Sequence, residues 1–250
     1  MPTQVRFVTD SIVCVRRPSY LTCSYLVRTP TGVVVVDAGM DSEGADVERG
    51  LEALGMKVDS VRAILLTHWH NDHAAGAEAI RAASQARVFY HRGDQAQLTG
   101  SVTTGRARRW LSDQIPEAGV LVLLKGLLGE AVPRPIAAAE TVSDRELLFD
   151  DFEVVCTPGH TPGHVSYFYR PARALFAGDA LAVVGGRLRF MARSVTPDRT
   201  SARASFAKCL SLHPAIICPG HREPLLDRVE EACAGMRAQL DADAPWPLLG

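Results

Sequence analysis

Residues 65–76 read LLTHWHNDHAAG, and they spend three of the chain's eight histidines and one aspartate within six positions, at His68, His70, Asp72 and His73. An apolar run, Ala63-Ile64-Leu65-Leu66, leads into them and small residues follow. A solvated surface does not call for such a cluster, and a packed core tolerates it only when every polar atom is paired. If the segment stays extended, His68 and His70 fall on one face, because side chains repeat every second residue. Asp72 and His73 then sit on the turn into a following helix. Four ligand-type side chains from one loop favour a metal site.

Working outward, three other stretches repeat the pattern. VVCTPGH (154–160) delivers His160, LFAGD (175–179) delivers Asp179, and IICPGH (216–221) delivers His221. In each, an apolar strand breaks at Gly or Pro and a ligand-type residue follows directly. Side chains gathered at strand ends are what a site at one edge of a β-core requires. Within TPGHTPGH (157–164), either His160 or His164 is the ligand on composition alone.

The surrounding pattern is α/β. Short β-branched or alternating runs predict strands at 5–8, 12–15, 21–27, 33–36, 63–66, 87–90, 152–156, 165–169, 174–177 and 215–218. Helical stripes are expected at 43–56, 74–83, 198–212 and 225–240. Strands gather at the start of each half and helices follow, which predicts a four-layer αβ/βα sandwich of two mixed sheets flanked by helices. The expectation is a single domain, 1–250. Its least regular stretch, about 91–145, contains TTGRARRW, VLVLLKGLLG and VPRPI. That stretch reads as an insertion and a candidate lid, with Trp110 or the leucines lining an apolar pocket.

Composition bounds the partners. The chain has 250 residues, 22% of them charged, with a formal net charge of −1. That balance argues against a nucleic-acid or anionic-membrane binder. The run 1–10 lacks the features of a signal peptide, and no apolar stretch approaches the ~20 residues of a membrane span. Six scattered cysteines without a C-x-x-C pair read as reduced thiols, so the expected location is cytoplasmic. The expected partner is a small molecule, with neither nucleic acid nor membrane involved; a homo-oligomer is compatible with the sequence. Arg187, Arg189, Arg193, Arg199 and Arg203 read first as a solvated face. Part of that run overhanging the site would favour an anionic substrate.

Together, H-x-H-x-D-H, TPGH-T-x-GH, a GD after a strand and a late PGH resemble the metallo-β-lactamase superfamily of hydrolases, over about residues 25–221. The resemblance implies that His68, His70 and His160 hold one metal. Asp72, His73 and His221 would hold a second, with Asp179 bridging the two. It favours His160 over His164 as ligand, leaving His164 in a supporting role. Asp37, in the Asp37-Ala38-Gly39 match to the family's DxG, would orient a ligand histidine. Two divalent ions are implied, zinc first because seven N/O donors without thiolate suit it, with iron or manganese accepted by the same set. A hydroxide bridging two such ions would attack an ester, thioester, lactone or related electrophile, with Asp72 handling the proton.

Departures within the family narrow this further. Lactamases of the fold usually carry cysteine or serine where this chain has Asp179, so efficient lactam hydrolysis is not expected. Only 29 residues follow His221, fewer than the helical domain of glyoxalase-II-type thioesterases needs. The competing reading is a mononuclear iron persulfide dioxygenase; a nucleic-acid phosphodiesterase ranks below both.

Overall fold

The computed structural model describes residues 3–18, 20–101 and 132–247. The chain divides into two compact units, Met1–Phe89 with Gln95–Glu140, and Tyr90–Asp94 with Thr141–Gly250. The lid expectation, including Trp110 and the VLVLLKGLLG run, falls largely on residues outside those described.

A seven-stranded sheet runs in the order β1 (Gln4–Phe7), β2 (Ile12–Arg16), β3 (Cys23–Thr29), β4 (Gly32–Val36), β5 (Val61–Leu65), β6 (Arg87–His91) and β7 (Glu140–Val142). Its first four strands form an antiparallel meander. β4, β5 and β6 are parallel neighbours, and parallel strands need crossovers. The helix Ala45–Ala53 supplies the first, and Asn71–Ala74 with Ala77–Ser84 the second. β4 is buried along Val33-Val34-Val35-Val36, as a strand covered on both faces must be. The loop carrying the candidate ligands His68 to His73 therefore begins where β5, an interior parallel strand, ends.

The second unit carries a five-stranded sheet ordered β14-β11-β10-β9-β8. Its strands are β8 (Leu147–Leu148), β9 (Phe152–Cys156), β10 (Val165–Tyr169), β11 (Ala174–Gly178) and β14 (Ile216–Pro219). β10 is antiparallel to both β9 and β11, and β14 is parallel to β11. So β9, β11 and β14 all run one way and end at one edge of the sheet. His160, Asp179 and His221 follow those three ends. The helix Arg199–Ser211 starts at Asp198, whose side chain accepts from the Ser201 amide, an N-cap. With the helix Val229–Asp241 it packs on a core that includes Phe206, Cys209, Leu210, Cys233 and Met236.

Sequence periodicity missed four short strands. β7 and β8 are only three and two residues long. β12 (Ala182–Val184) and β13 (Arg187–Arg189) pair across Gly185-Gly186, both at positive φ. A Gly-Gly pair between short runs is a hairpin signal. Reading the arginines as a solvated face obscured it, although Arg187 and Arg189 are indeed exposed on either side of buried Leu188. Among the described residues all six cysteines are free, and five are buried. No described helix is long and apolar enough to cross a membrane.

Candidate metal centre

In the first unit, β5 ends at Leu65 and the chain turns through His68 and His70 into the short helix Asn71–Ala74, which carries Asp72 and His73. His68, Asp72 and His73 are buried, and His70 is half-buried. A ligand atom of His68 lies within 4.8 Å of one on His70 and of one on His73, and Asp72 and His73 approach equally closely. Their rings pack on each other, His68 edge-on to His70 at 4.7 Å between centroids.

Asp37 organises this loop. It follows β4 at φ 58, a left-handed conformation uncommon for residues other than glycine. Its Oδ2 accepts from the Thr67 hydroxyl at 2.8 Å and faces His73 Nδ1 at 2.9 Å, and its Oδ1 accepts from the Thr67 amide at 2.8 Å. Thr67 Oγ1 in turn lies 2.9 Å from His68 Nδ1. A carboxylate only accepts, so Thr67 gives its proton to Asp37 and receives one from His68. Both His68 and His73 are thereby fixed with the proton on Nδ1 and the lone pair on Nε2. That is the form in which a histidine ligates through Nε2. Gly39, two residues on, lets the helix Ala45–Ala53 come close. It sits at φ 74, and a Cβ there would meet Asp46 Oδ2 at 2.6 Å. Thr22 Oγ1 donates to Asp72 Oδ2 at 3.3 Å, steadying that carboxylate.

In the second unit, His160 and Asp179 are buried and His221 is half-buried. Both His160 Nε2 and His221 Nε2 lie beside one carboxylate oxygen, Asp179 Oδ2, at 3.5 and 3.3 Å. His160 Nδ1 is 2.6 Å from the carbonyl of Val195, another acceptor-only oxygen, so its tautomer is fixed in the same sense. The His160 loop is pinned by Asp94, which accepts from Thr161 Oγ1 and the Gly163 amide, each at 2.8 Å. Gly159 allows the helix Arg199–Ser211 to come close: at φ 140, its Cβ would strike Ala202 at 2.5 Å.

His164 is spoken for on both sides of its ring. Nε2 accepts from the Asp179 amide at 2.9 Å, and Nδ1 lies 2.8 Å from Thr157 Oγ1. Thr157 passes the chain to Ser166, whose hydroxyl ends on the Ala177 carbonyl at 3.1 Å. His164 thus supports Asp179 through the backbone, and composition could not have decided between it and His160. His91 accepts from the Gly93 amide at 3.2 Å, and burial lowers its pKa. His213, just past a helix end at φ 49, gives its carbonyl to Arg173.

Sequence reasoning passed over Thr22, Thr67, Asp94, Thr157, Ser166 and Val195. Thr67, adjacent to His68, and Thr157, in the quoted TPGH, stood within reach of the motifs. Asp94 acts across 67 and 69 residues of chain, and Val195 through its backbone, so neither left a local signature.

The donors suit divalent metals on three counts. Three imidazoles present Nε2 lone pairs, carboxylates stand among them, and no thiolate intervenes. The sequence comparison agrees. Residues 21–221 match the metallo-beta-lactamase superfamily model, so the chain belongs to that superfamily. Among its relatives is the "Probable metallo-hydrolase YflN" of Bacillus subtilis strain 168, 29% identical over 214 residues, covering 80% of this chain and 79% of that protein. The hydroxyacylglutathione hydrolase of Albidiferax ferrireducens is 30% identical over 168 residues, and the match spans 66% of this chain but only 49% of that enzyme. The metallo-beta-lactamase SMB-1 bound to 2-mercaptoethanesulfonate superposes with a TM-score of 0.68 at 22% identity, covering 96% of each chain. That likeness shows the fold, two mixed sheets with flanking helices. TTHA1623, in a di-iron-bound form, superposes with a TM-score of 0.64 at 26% identity, over 88% of this chain and 97% of its own.

Proposed function

We propose that this chain is a binuclear metal-dependent hydrolase of a small ester, thioester, lactone or related substrate. In this reading His68, His70 and His160 hold one ion. Asp72, His73 and His221 would hold the other, with Asp179 available to both. When bound, two divalent ions supply an acidified water and a Lewis acid for the substrate carbonyl. The chain's own residues do the rest. Asp37, through Thr67 and directly, keeps the protons of His68 and His73 on Nδ1. Val195 does the same for His160. Asp72, steadied by Thr22, orients the attacking water and passes a proton to the leaving group. Zinc is the expected metal, and iron is the first alternative, as in the di-iron form of TTHA1623.

The observation that carries this reading is the set of three buried histidines with Nδ1 tied to oxygen. Such a network is wasted unless Nε2 has an electrophile to bind. The hydroxyacylglutathione hydrolase match favours a thioester among the candidate substrates.

The test pairs metal analysis of protein purified without added metal with a panel of small esters, thioesters and lactones in oxygen-18 water. The reading expects two ions per chain and label in the product acid on a single turnover. No covalent acyl-enzyme should accumulate, since the nucleophile is water rather than a side chain. One iron per chain with activity dependent on dioxygen would move the protein to the persulfide dioxygenase reading.

A further inference from the structure

His160 takes its orientation from a carbonyl, and that carbonyl belongs to a segment with little regular structure of its own. Val195 ends a single helical turn, Arg193–Val195, that follows β13. What holds this segment is the stretch beyond the helix Val229–Asp241. Trp246 lies stacked on Phe190, with ring centroids 4.2 Å apart and planes 26° apart. Its indole Nε1 donates to the Met191 carbonyl at 2.7 Å. One residue on, the Pro247 carbonyl accepts from the Arg193 amide at 3.0 Å. Arg203 closes the arrangement. It donates to the Ala244 carbonyl at 2.7 Å, pairs with Asp243 at 3.2 Å, and places its guanidinium 5.0 Å from the Phe190 ring centroid. Phe190 is itself buried and edge-on to Phe206 in the core.

The segment 190–196 is thus gripped at Phe190, Met191 and Arg193 by residues 244–247, and delivers Val195 to His160. We infer that Trp246 is a positioning residue for His160. It acts through Phe190 and Met191 to hold the Val195 carbonyl where it fixes the imidazole tautomer. An indole both stacks and donates, so it sets the segment's distance and its register together. With the Trp246 side chain removed, segment 190–196 loses the stack on Phe190 and the bond at Met191, and keeps the Pro247–Arg193 bond, the Arg203 contact and its own turn. The Val195 carbonyl would then no longer impose the proton on His160 Nδ1, and the ligand would bind metal less tightly.

The inference rests on reading His160 as a metal ligand, so its test has an arm that needs no metal. The tautomer of His160 is read from two-bond 1H–15N couplings in metal-free, uniformly labelled protein at pH 8. Zinc affinity is then measured by titration. Wild type should show the Nδ1–H form. W246A should show a mixture weighted to Nε2–H and a zinc affinity lowered about 10–100-fold, the usual cost of losing a ligand's supporting partner. W246F, which keeps the stack and loses the bond to Met191, should fall between. Leu212, at the end of the helix Arg199–Ser211, packs on the same core, and L212A should alter neither reading. A W246A or W246F protein with wild-type tautomer overturns the inference, and so does an L212A protein that shifts as W246A does. Wild type that holds the Nδ1–H form yet takes up no zinc overturns the metal reading, and the tautomers of the variants still decide the role of Trp246.

Discussion

The candidate-ligand loop 68–73 and the three strand ends at 160, 179 and 221 differ in how their side chains are held. In the loop, one carboxylate serves everything: Asp37 receives Thr67 twice and His73 once, and reaches His68 through the threonine hydroxyl. At the strand ends the candidate ligands have separate supports. His160 leans on Val195, Asp179 has its amide bound by His164, and the 157–164 loop is clamped by Asp94. A contiguous set of ligands can share one anchor because a few residues of chain already hold them together. Ligands that arrive from separate strands must be located one by one. Damage to the loop should therefore be collective, and damage at the strand ends graded.

The largest effect is expected at Asp179, the carboxylate the proposed centre shares between its two ions. Asp179→Ala removes the oxygen beside His160 and His221. Metal content should fall from two ions, and kcat/KM should drop by at least about three orders of magnitude, ~4 kcal/mol of transition-state stabilisation. Metal analysis and steady-state kinetics on the best substrate of the panel check it.

Next comes the shared anchor. Asp37→Ala leaves buried donors on Thr67 and His73 without their acceptor, at about 1–3 kcal/mol for each group left unsatisfied. Urea unfolding should show it, and metal affinity should fall for both ions together. Asp37→Asn keeps an acceptor oxygen and should lose less. If Asp37→Ala weakens one ion only, the collective account of the loop fails.

A smaller, local loss is expected from Asp94→Ala. It strips the acceptor from Thr161 and Gly163 at about 1–3 kcal/mol. Titration should find one zinc weakened, the ion assigned to His160, with the other held as in wild type. Equal weakening of both would erase the contrast between the regions.

The smallest effects are electrostatic and similar in the two units. In the first, hydrogen bonds from Arg81 hold the Glu78 carboxyl below its ordinary value of 4.5, against an opposing push from burial and with help from the Ala137 amide. In the second, burial pushes Asp144 up, but Lys208 and the Cys156 amide outweigh it and the net shift is downward. A depressed folded-state pKa contributes stability that is present above the unfolded value and is lost as pH falls through the folded one. Glu78→Gln and Asp144→Asn should each flatten the acid limb of a stability profile below about pH 4.5, leaving the neutral region almost unchanged.

The same contrast explains what could be read without a structure. Strands 152–156 and 165–169 match the observed β9 and β10 residue for residue, because a buried strand is a short apolar run bounded by turn residues. His68, His70, Asp72 and His73 announce themselves by crowding, and Asp37 by its place in a DxG after a strand. The helix expected at 74–83 is two helices, Asn71–Ala74 and Ala77–Ser84, because the ligand loop claims its first turn. Asp94 lies 67 residues from Thr161, and Val195 acts through its carbonyl. Supports of that kind depend on which loops meet, and no local pattern of residue types encodes it. His160 and His164 look alike in composition; the family pattern favours the first, and the hydrogen bonds on both ring nitrogens of His164 agree with it.

The central claim is that the two sets of ligands serve one pair of ions. Anomalous diffraction at the zinc edge from crystals grown with zinc tests it most directly. The account predicts two peaks: one within ~2.0–2.2 Å of nitrogens of His68, His70 and His160, and the other at that distance from Asp72, His73 and His221, with Asp179 reaching both. A single peak, or two peaks each bound by residues of one unit alone, would contradict it.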